Sequence, residues 1–518
     1  LVKGSRFMRM ERVVAALGTS VLAPLAASCV TPPETRLSGP PRTISDAVFE
    51  ALAARWLEGS LQLAPIEATK YGEHRYDREV DDVSAAGRAR LLLFTKDMLR
   101  ELDGVQRGAL SRANQVDAAM LDNQLRAQVW GIERQQAWAW NPLFYQAKAG
   151  DAIYALMSRE FAPMEARLES VTARLEKLPA LLGQARTELV AARVPAPYAA
   201  TYAGQNPGLK SLIEEMVAPN LSAFSGDARA RLEAAIAGFN AAVDAQQIWI
   251  EEQLLPAAQG EWRAGAAMFD EGLAFALMTP LTREEIRRQA DAAVTRVRAD
   301  MYRAAKQALA GRAEAPPTPD APSAEEQQAV IRAALAISGA ERPRRDNLVE
   351  AATAAVREAE TFARQNDFIT LPDEPVQVIT MPEFQQGVAV AYCDSPGPLE
   401  RNLATYYAVS AVPDAWTDEQ AASFLREYNN RAIIDVGVHE AMPGHYVQLW
   451  HANSYPSVLR AVLQSGTFIE GWACYAEEVM VSQGFRSEDP LYHLAQLKVQ
   501  LRTITNAILD QSVHVGGI

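Results

Sequence analysis

Apolar residues recur at helical spacing through the first three-fifths of the chain. Leu168, Val171, Leu175, Leu178 and Leu182 step by 3, 4, 3 and 4, and Leu232, Ile236, Phe239 and Val243 step by 4, 3 and 4. Each set forms one face of an amphipathic helix, and the Ala and Arg residues between suit helix propensity. Such stripes are core packing, with Pro179 placed to kink the first. The same pattern predicts helices across 43–310. No fixed-period repeat argues for a solenoid. Ala315–Ser323 is a Pro-rich loop, within a segment (311–323) that is either a sub-boundary or a long surface connection. Helices are expected again over 324–338 and 346–366. The period then shortens. Val376–Ile379, Gly387–Tyr392 and Ala404–Val409 are apolar or β-branched runs bounded by Pro, Gly, Asp and Asn, the pattern of a small sheet. Asp418 to Ala441 reads as helix, with Thr417 as N-cap before Glu419 and Gln420, and two further helices are expected over 455–484 and 489–513. The prediction is a mainly α-helical single domain over 43–518, with a small β-sheet just before the helix that carries the chemistry; 370–518 is its catalytic part.

The amino terminus reads as an address. Arg9 and Arg12 precede Val13–Ala27, which is apolar, small and too short for a bilayer-spanning helix of about 20 residues. It ends in Leu25-Ala26-Ala27-Ser28-Cys29, which resembles a bacterial lipobox with Ala26 where Leu is usual. Residues 1–28 are therefore expected to be a lipoprotein-type signal peptide, Cys29 the lipid attachment point and 29–42 a Pro-rich tether; an ordinary secretory signal is the alternative. Either places the protein in the cell envelope, anchored and periplasm-facing, or outside it. Net charge is −14 and the pI near 5.1, so nucleic acid is excluded as the main partner. Three cysteines cannot make a disulfide framework. No G-x-S-x-G elbow, P-loop or dinucleotide fingerprint is present.

Five of the six histidines (His439, His445, His451, His493 and His514) fall at or after position 439. The helix from Asp418 runs into His439-Glu440-Ala441-Met442-Pro443-Gly444-His445-Tyr446. A His-Glu pair followed by a second His is close to the zinc-peptidase signature H-E-x-x-H, in which the histidines share a helix face and the Glu takes a proton from the metal's water. Here the second His comes six residues on instead of four. At about 100° per residue, six residues leave the two rings about 120° apart on a regular helix. Pro443 removes a backbone donor and crowds the His439 carbonyl, and Gly444 tolerates unusual backbone, so the insertion carries residues able to bend the chain back. The competing reading is a helix end with two half-buried histidines. A third ligand is sought in Phe468–Glu478, where Glu470 sits among apolar and aromatic residues. Glu477, seven residues on, shares its face and can orient a ligand; Glu478 reads as a solvated edge. Cys474, also on that face, is either a thiolate ligand or a packed thiol. Zn2+ is the expected cofactor.

His439–Gln448, Glu470–Glu477 and Leu501–His514, together with Pro65–Asp77, resemble the bacterial domain of unknown function 885 family (DUF885). The resemblance implies a lipoprotein with a large helical fold and a deep cleft, similar to zinc metallopeptidases such as thimet oligopeptidase and angiotensin-converting enzyme. It implies Glu470 as third ligand and peptides as substrate. It also puts the segment of His514 beside the cleft, making His514 the first choice of oxyanion donor, with Tyr406 or Tyr407 second. Tyr446 stands where the family often has a second His, and the family pattern extends beyond Ile518, so a carboxyl-terminal truncation is expected. Glu440 is then the general base. Arg502 binds a substrate carboxylate or an acidic neighbour. His74, His451 and His493 read as structural. The alternatives to a peptidase are a non-catalytic peptide- or envelope-binding lipoprotein and a zinc amidase acting on cell-wall peptides.

Overall fold

The protein is described by a computed structural model over residues 44–313, 315–382, 385–386, 389–400 and 403–516. The signal, Cys29 and the tether lie outside the described residues. The chain is mainly helical with one small sheet. Both predicted stripes are core. Leu168, Val171, Leu175, Leu178 and Leu182 of α1 (Met164–Glu188) are fully buried, as are Leu232, Phe239 and Val243 of α2 (Gly226–Trp249), and the two helices pack together. Pro179 sits inside α1, which continues on both sides of it. No described helix is long and apolar enough to cross a membrane.

Downstream, α3 (Arg283–Leu309) packs against α4 (Ala324–Ala340) and runs along the last long helix, Pro490–Gln511. The Pro-rich segment between α3 and α4 folds back on α3, where the Tyr302 hydroxyl donates to the Pro319 carbonyl at 2.6 Å. Ser323 and Glu326 form a capping box that starts α4. A second core lies between α5 (Leu348–Asn366), the sheet and the helices of the site. In the sheet, β1 (Gln377–Thr380) pairs parallel with β3 (Tyr406–Val409), and β2 (Ala391–Asp394) pairs antiparallel on its other side. All three strands fall within or beside their predicted runs; Gly387 and Val388, in the second run, lie outside the described residues.

Two predicted helices are each divided. In place of one helix from Asp418 to Ala441 there are α6 (Asp418–Glu427) and α7 (Asn430–Glu440). Thr417 does cap α6, in a capping box with Gln420. Asn429 makes the break. Its Oδ1 accepts from the Arg431 and Ala432 amides at 3.1 and 3.3 Å, and its Nδ2 donates to the Arg426 carbonyl at 2.9 Å, so one side chain closes one helix and opens the next. The predicted 455–484 helix is a short turn, Val458–Val462, followed by α9 (Gly466–Ser482), with Ser465 capping α9; α8 (His445–Ser454) precedes them and α10 (Pro490–Gln511) follows.

His74 ties the amino-terminal helices to the segment after β2. Helix Pro65–Tyr71 ends at Gly72, whose φ of 87° is a left-handed position that suits glycine, and the Leu399 amide donates to the Tyr71 carbonyl at 2.9 Å. The His74 ring stacks on Phe161 at 3.8 Å, with Nδ1 2.9 Å from Asp77 and Nε2 3.3 Å from Glu400. Burial disfavours its charge, but the two carboxylates outweigh burial and raise its pKa to about 9. A raised folded pKa stabilises fully below the unfolded value and is lost as pH rises through the folded one. The difference in melting temperature between wild type and His74→Gln should therefore be widest below about pH 6.5 and close as pH passes about 9. A gap that does not vary with pH would show that the imidazolium charge is not the fastening.

Candidate metal centre

The turn after α7 brings the two histidines together. The Met442 amide reaches back five residues to the Gly437 carbonyl at 3.2 Å, and the Gly444 amide reaches six, to Val438 at 3.0 Å. A regular helix reaches back four, so this wide turn absorbs the two extra residues between His439 and His445. Gly444 is required there. A Cβ at that position would lie 1.8 Å from the His439 carbonyl oxygen and 2.3 Å from that of Val438. Pro443 contributes its carbonyl, which accepts from Trp472 Nε1 at 2.9 Å and ties the turn to α9. From Gly444 the chain restarts as α8 with His445 at its first position.

The two imidazoles meet edge to face, 4.8 Å between centroids at 88°. Glu470, on the facing side of α9, places Oε2 3.8 Å from His439 Nε2 and 4.0 Å from His445 Nε2. All three side chains are largely buried, and their donor atoms lie within 4.8 Å of one another. Tetrahedral zinc with ordinary nitrogen and oxygen ligand lengths sets its donors about 3.4 Å apart, so the two histidine nitrogens each stand about half an ångström too far from Glu470. His439 Nε2 is buried and has no hydrogen-bond partner, a costly state for an imidazole nitrogen unless something binds its lone pair. The donor set fits a divalent ion of the zinc class.

Around this triad lies a layer of buried acid. Glu477 Oε1 accepts from His439 Nδ1 at 2.6 Å, which fixes the ring with Nε2 turned toward Glu470. Burial disfavours a charged His439, yet Cys474, Glu470 and Glu477 together raise its pKa well above the ordinary imidazole value: the pocket favours positive charge. Asp435, one turn before His439, was not singled out in the sequence. It is only 1% exposed, and burial and then the Glu477 charge push its pKa far up, with His439, Arg502 and Tyr492 opposing. The signal for it was an Asp inside the apolar run Ile433–Val438. Arg502 is exposed on α10, and its charge is among those that oppose the rise at Asp435.

Glu440 is buried at the end of α7. Burial raises the pKa values of Cys393, Tyr407 and Tyr428, and the Glu440 carboxylate adds to each, which sets it near the sheet side of the site. Tyr407 is fully buried on β3, its hydroxyl 3.4 Å from that of Tyr428. Its neighbour Tyr406 faces the other way: its hydroxyl donates to the Ser158 carbonyl at 3.2 Å and its ring lies under Arg159. His514 is buried between Trp262 and Phe269, with Nδ1 accepting from the Ala264 amide at 3.1 Å. Tyr406 and His514 are thus engaged by other elements than those that gather the triad. His451 is exposed and contacts the Thr370 carbonyl, and His493 lies on the α10 face toward α3, beside Asp300 and Arg303.

A family model described as "Bacterial protein of unknown function (DUF885)" matches residues 65–518. The chain belongs to the DUF885 family. No curated protein matches this DUF885 chain. Among solved structures it is similar to one described as "a putative lipoprotein of unknown function" from Shewanella oneidensis, at 28% identity and a TM-score of 0.71, covering 90% of this chain and 84% of that one. A second, "the putative lipoprotein" from Colwellia psychrerythraea, shares the fold at 16% identity and a TM-score of 0.66, covering 91% and 84%.

Two substitutions check this construction of the DUF885 site. Gly444→Ala forces the wide turn apart and should cost about 3 kcal/mol in denaturant unfolding; an unchanged midpoint would mean the turn has slack. Glu477→Gln should keep the fold but weaken metal affinity about 10–100-fold in competition with a chelator, and equal affinity would remove Glu477 from the site.

Proposed function

We propose that this DUF885 protein is a zinc-dependent hydrolase that cleaves peptide bonds. One observation carries the reading: His439, His445 and Glu470, from three helices, converge in the interior, with Glu440 next to His439 in the chain. In this proposal the three side chains hold the ion and Glu477 holds His439 in the right tautomer. Zinc bound there would supply a Lewis acid and a water of lowered pKa. The Glu440 carboxylate accepts the proton of the attacking water and returns it to the leaving amine nitrogen. The acid-lined pocket supports a cation, and the burial of the triad keeps bulk water from competing for it.

The same proposal places the enzyme in the bacterial cell envelope. The Leu25–Cys29 motif and the likeness to proteins described as lipoproteins both support lipid attachment at Cys29.

The test is metal analysis followed by a mixed peptide library. Wild type should carry one zinc per chain and cleave the library, and His445→Ala should lose the metal. Glu440→Gln should keep the metal while its turnover falls about 10²–10⁴-fold. Wild type without stoichiometric zinc after supplementation would overturn the proposal. So would metal without cleavage and a Glu440→Gln variant indistinguishable from wild type, a result that would point to a binding protein.

A further inference from the structure

A thiol stands next to the proposed ion. Glu470, Cys474 and Glu477 occupy positions i, i+4 and i+7 of α9, one face of one helix, and that face meets His439. Two overlapping donor sets result. His439, His445 and Glu470 form one; His439, Cys474 and Glu477 form the other, with donor atoms again within 4.8 Å of one another. They share the buried His439 ring, with Glu477 at its Nδ1 and Glu470 on the side of its Nε2, and Cys474 lies between those two glutamates along α9. The two described cysteines differ in setting. Cys393 lies on β2 against the apolar core, its sulfur 3.7 Å from the Ser395 hydroxyl, as a packed thiol does. Cys474 is half-buried among an imidazole and carboxylates, the surroundings of a ligand.

We propose that Cys474 is a ligand of the ion held by His439, and that its sulfur makes this centre selective for thiophilic ions such as Zn2+ and Cd2+ over Mn2+ and Mg2+. Thiolate is a soft donor, whereas a site of carboxylate and imidazole alone tolerates harder ions. On ligation the S–H bond breaks, the sulfur lone pair forms the S–metal bond and the proton passes to the buffer, with no oxidant or reductant involved. With Cys474 as a fourth donor, a hydrolytic water would need a fifth position, which a zinc ion held there would permit. The inference rests on the metal-centre reading above and adds the identity of a donor and the class of ion.

Cobalt(II) is the probe, added to the whole chain as wild type, Cys474→Ser and Cys393→Ser. Wild type and Cys393→Ser should show an intense near-ultraviolet sulfur-to-cobalt charge-transfer band. Cys474→Ser should lose that band and keep the weaker visible bands of bound cobalt. Visible bands without charge transfer in wild type would overturn Cys474 as a ligand and leave the metal centre standing. No bound cobalt at all would bring down the centre and this inference together. A second measurement needs no variant: iodoacetamide labelling of wild-type Cys474, read by peptide mass mapping. Cd2+ should block labelling and Mn2+ should not; equal labelling with and without Cd2+ would overturn the proposal.

Discussion

Two side chains six residues apart on a regular helix cannot point at one ion, and the site depends on how the chain escapes that constraint. The escape is a single wide turn. The Gly444 amide bonds to the Val438 carbonyl, six residues back, at 3.0 Å, and the missing Cβ of Gly444 leaves room for the His439 carbonyl. Without that turn, His445 would lie about a third of a revolution away from His439. With it, both Nε2 atoms come within 4.0 Å of the same Glu470 oxygen.

The turn also explains why the surrounding layers are built as they are. α7 ends in it and α8 begins after it, so both must be held from outside. Trp472 on α9 does this through the Pro443 carbonyl, and Glu477, two turns along α9 from Glu470, does it through His439 Nδ1. One helix thus supplies a donor, the group that orients another donor and the clasp on the turn. Burying the acids Glu477 and Asp435 beside His439 is unfavourable unless positive charge sits among them, and the raised pKa of His439 is the same preference expressed without an ion. The thiol of Cys474, one turn beyond Glu470 on that face, meets this environment directly.

Much of the fold was legible in the chain itself. The stripes of α1 and α2, the cap at Thr417, the three short strands and the last helix all follow from local rules, because burial of an apolar face and satisfaction of terminal amides depend on neighbours within a few residues. The breaks at Asn429 and Ser465 are invisible to periodicity because each interrupts a helical apolar pattern that continues across it; only side-chain capping distinguishes them from helix interior. The site was partly legible for the same reason. His439, Glu440, His445 and Glu470 stood out by type and spacing, as did Glu477. Asp435 did not, since a lone Asp in an apolar run acquires meaning only when Glu477 and Arg502 arrive from other helices.

The amino-acid sequence determined a helical protein with a short sheet, acidic overall, and carrying His439, Glu440, His445, Glu470 and Cys474 within one stretch of the chain. Periodicity and residue chemistry are local properties, so they survive in one dimension. The tertiary structure decided which of those residues share a pocket. It bent His445 back onto His439, set Tyr406 and Tyr407 on opposite faces of β3, and put His514 against the 262–269 segment. Those outcomes come from packing between elements far apart in the chain, and no spacing rule within a single helix or strand contains them.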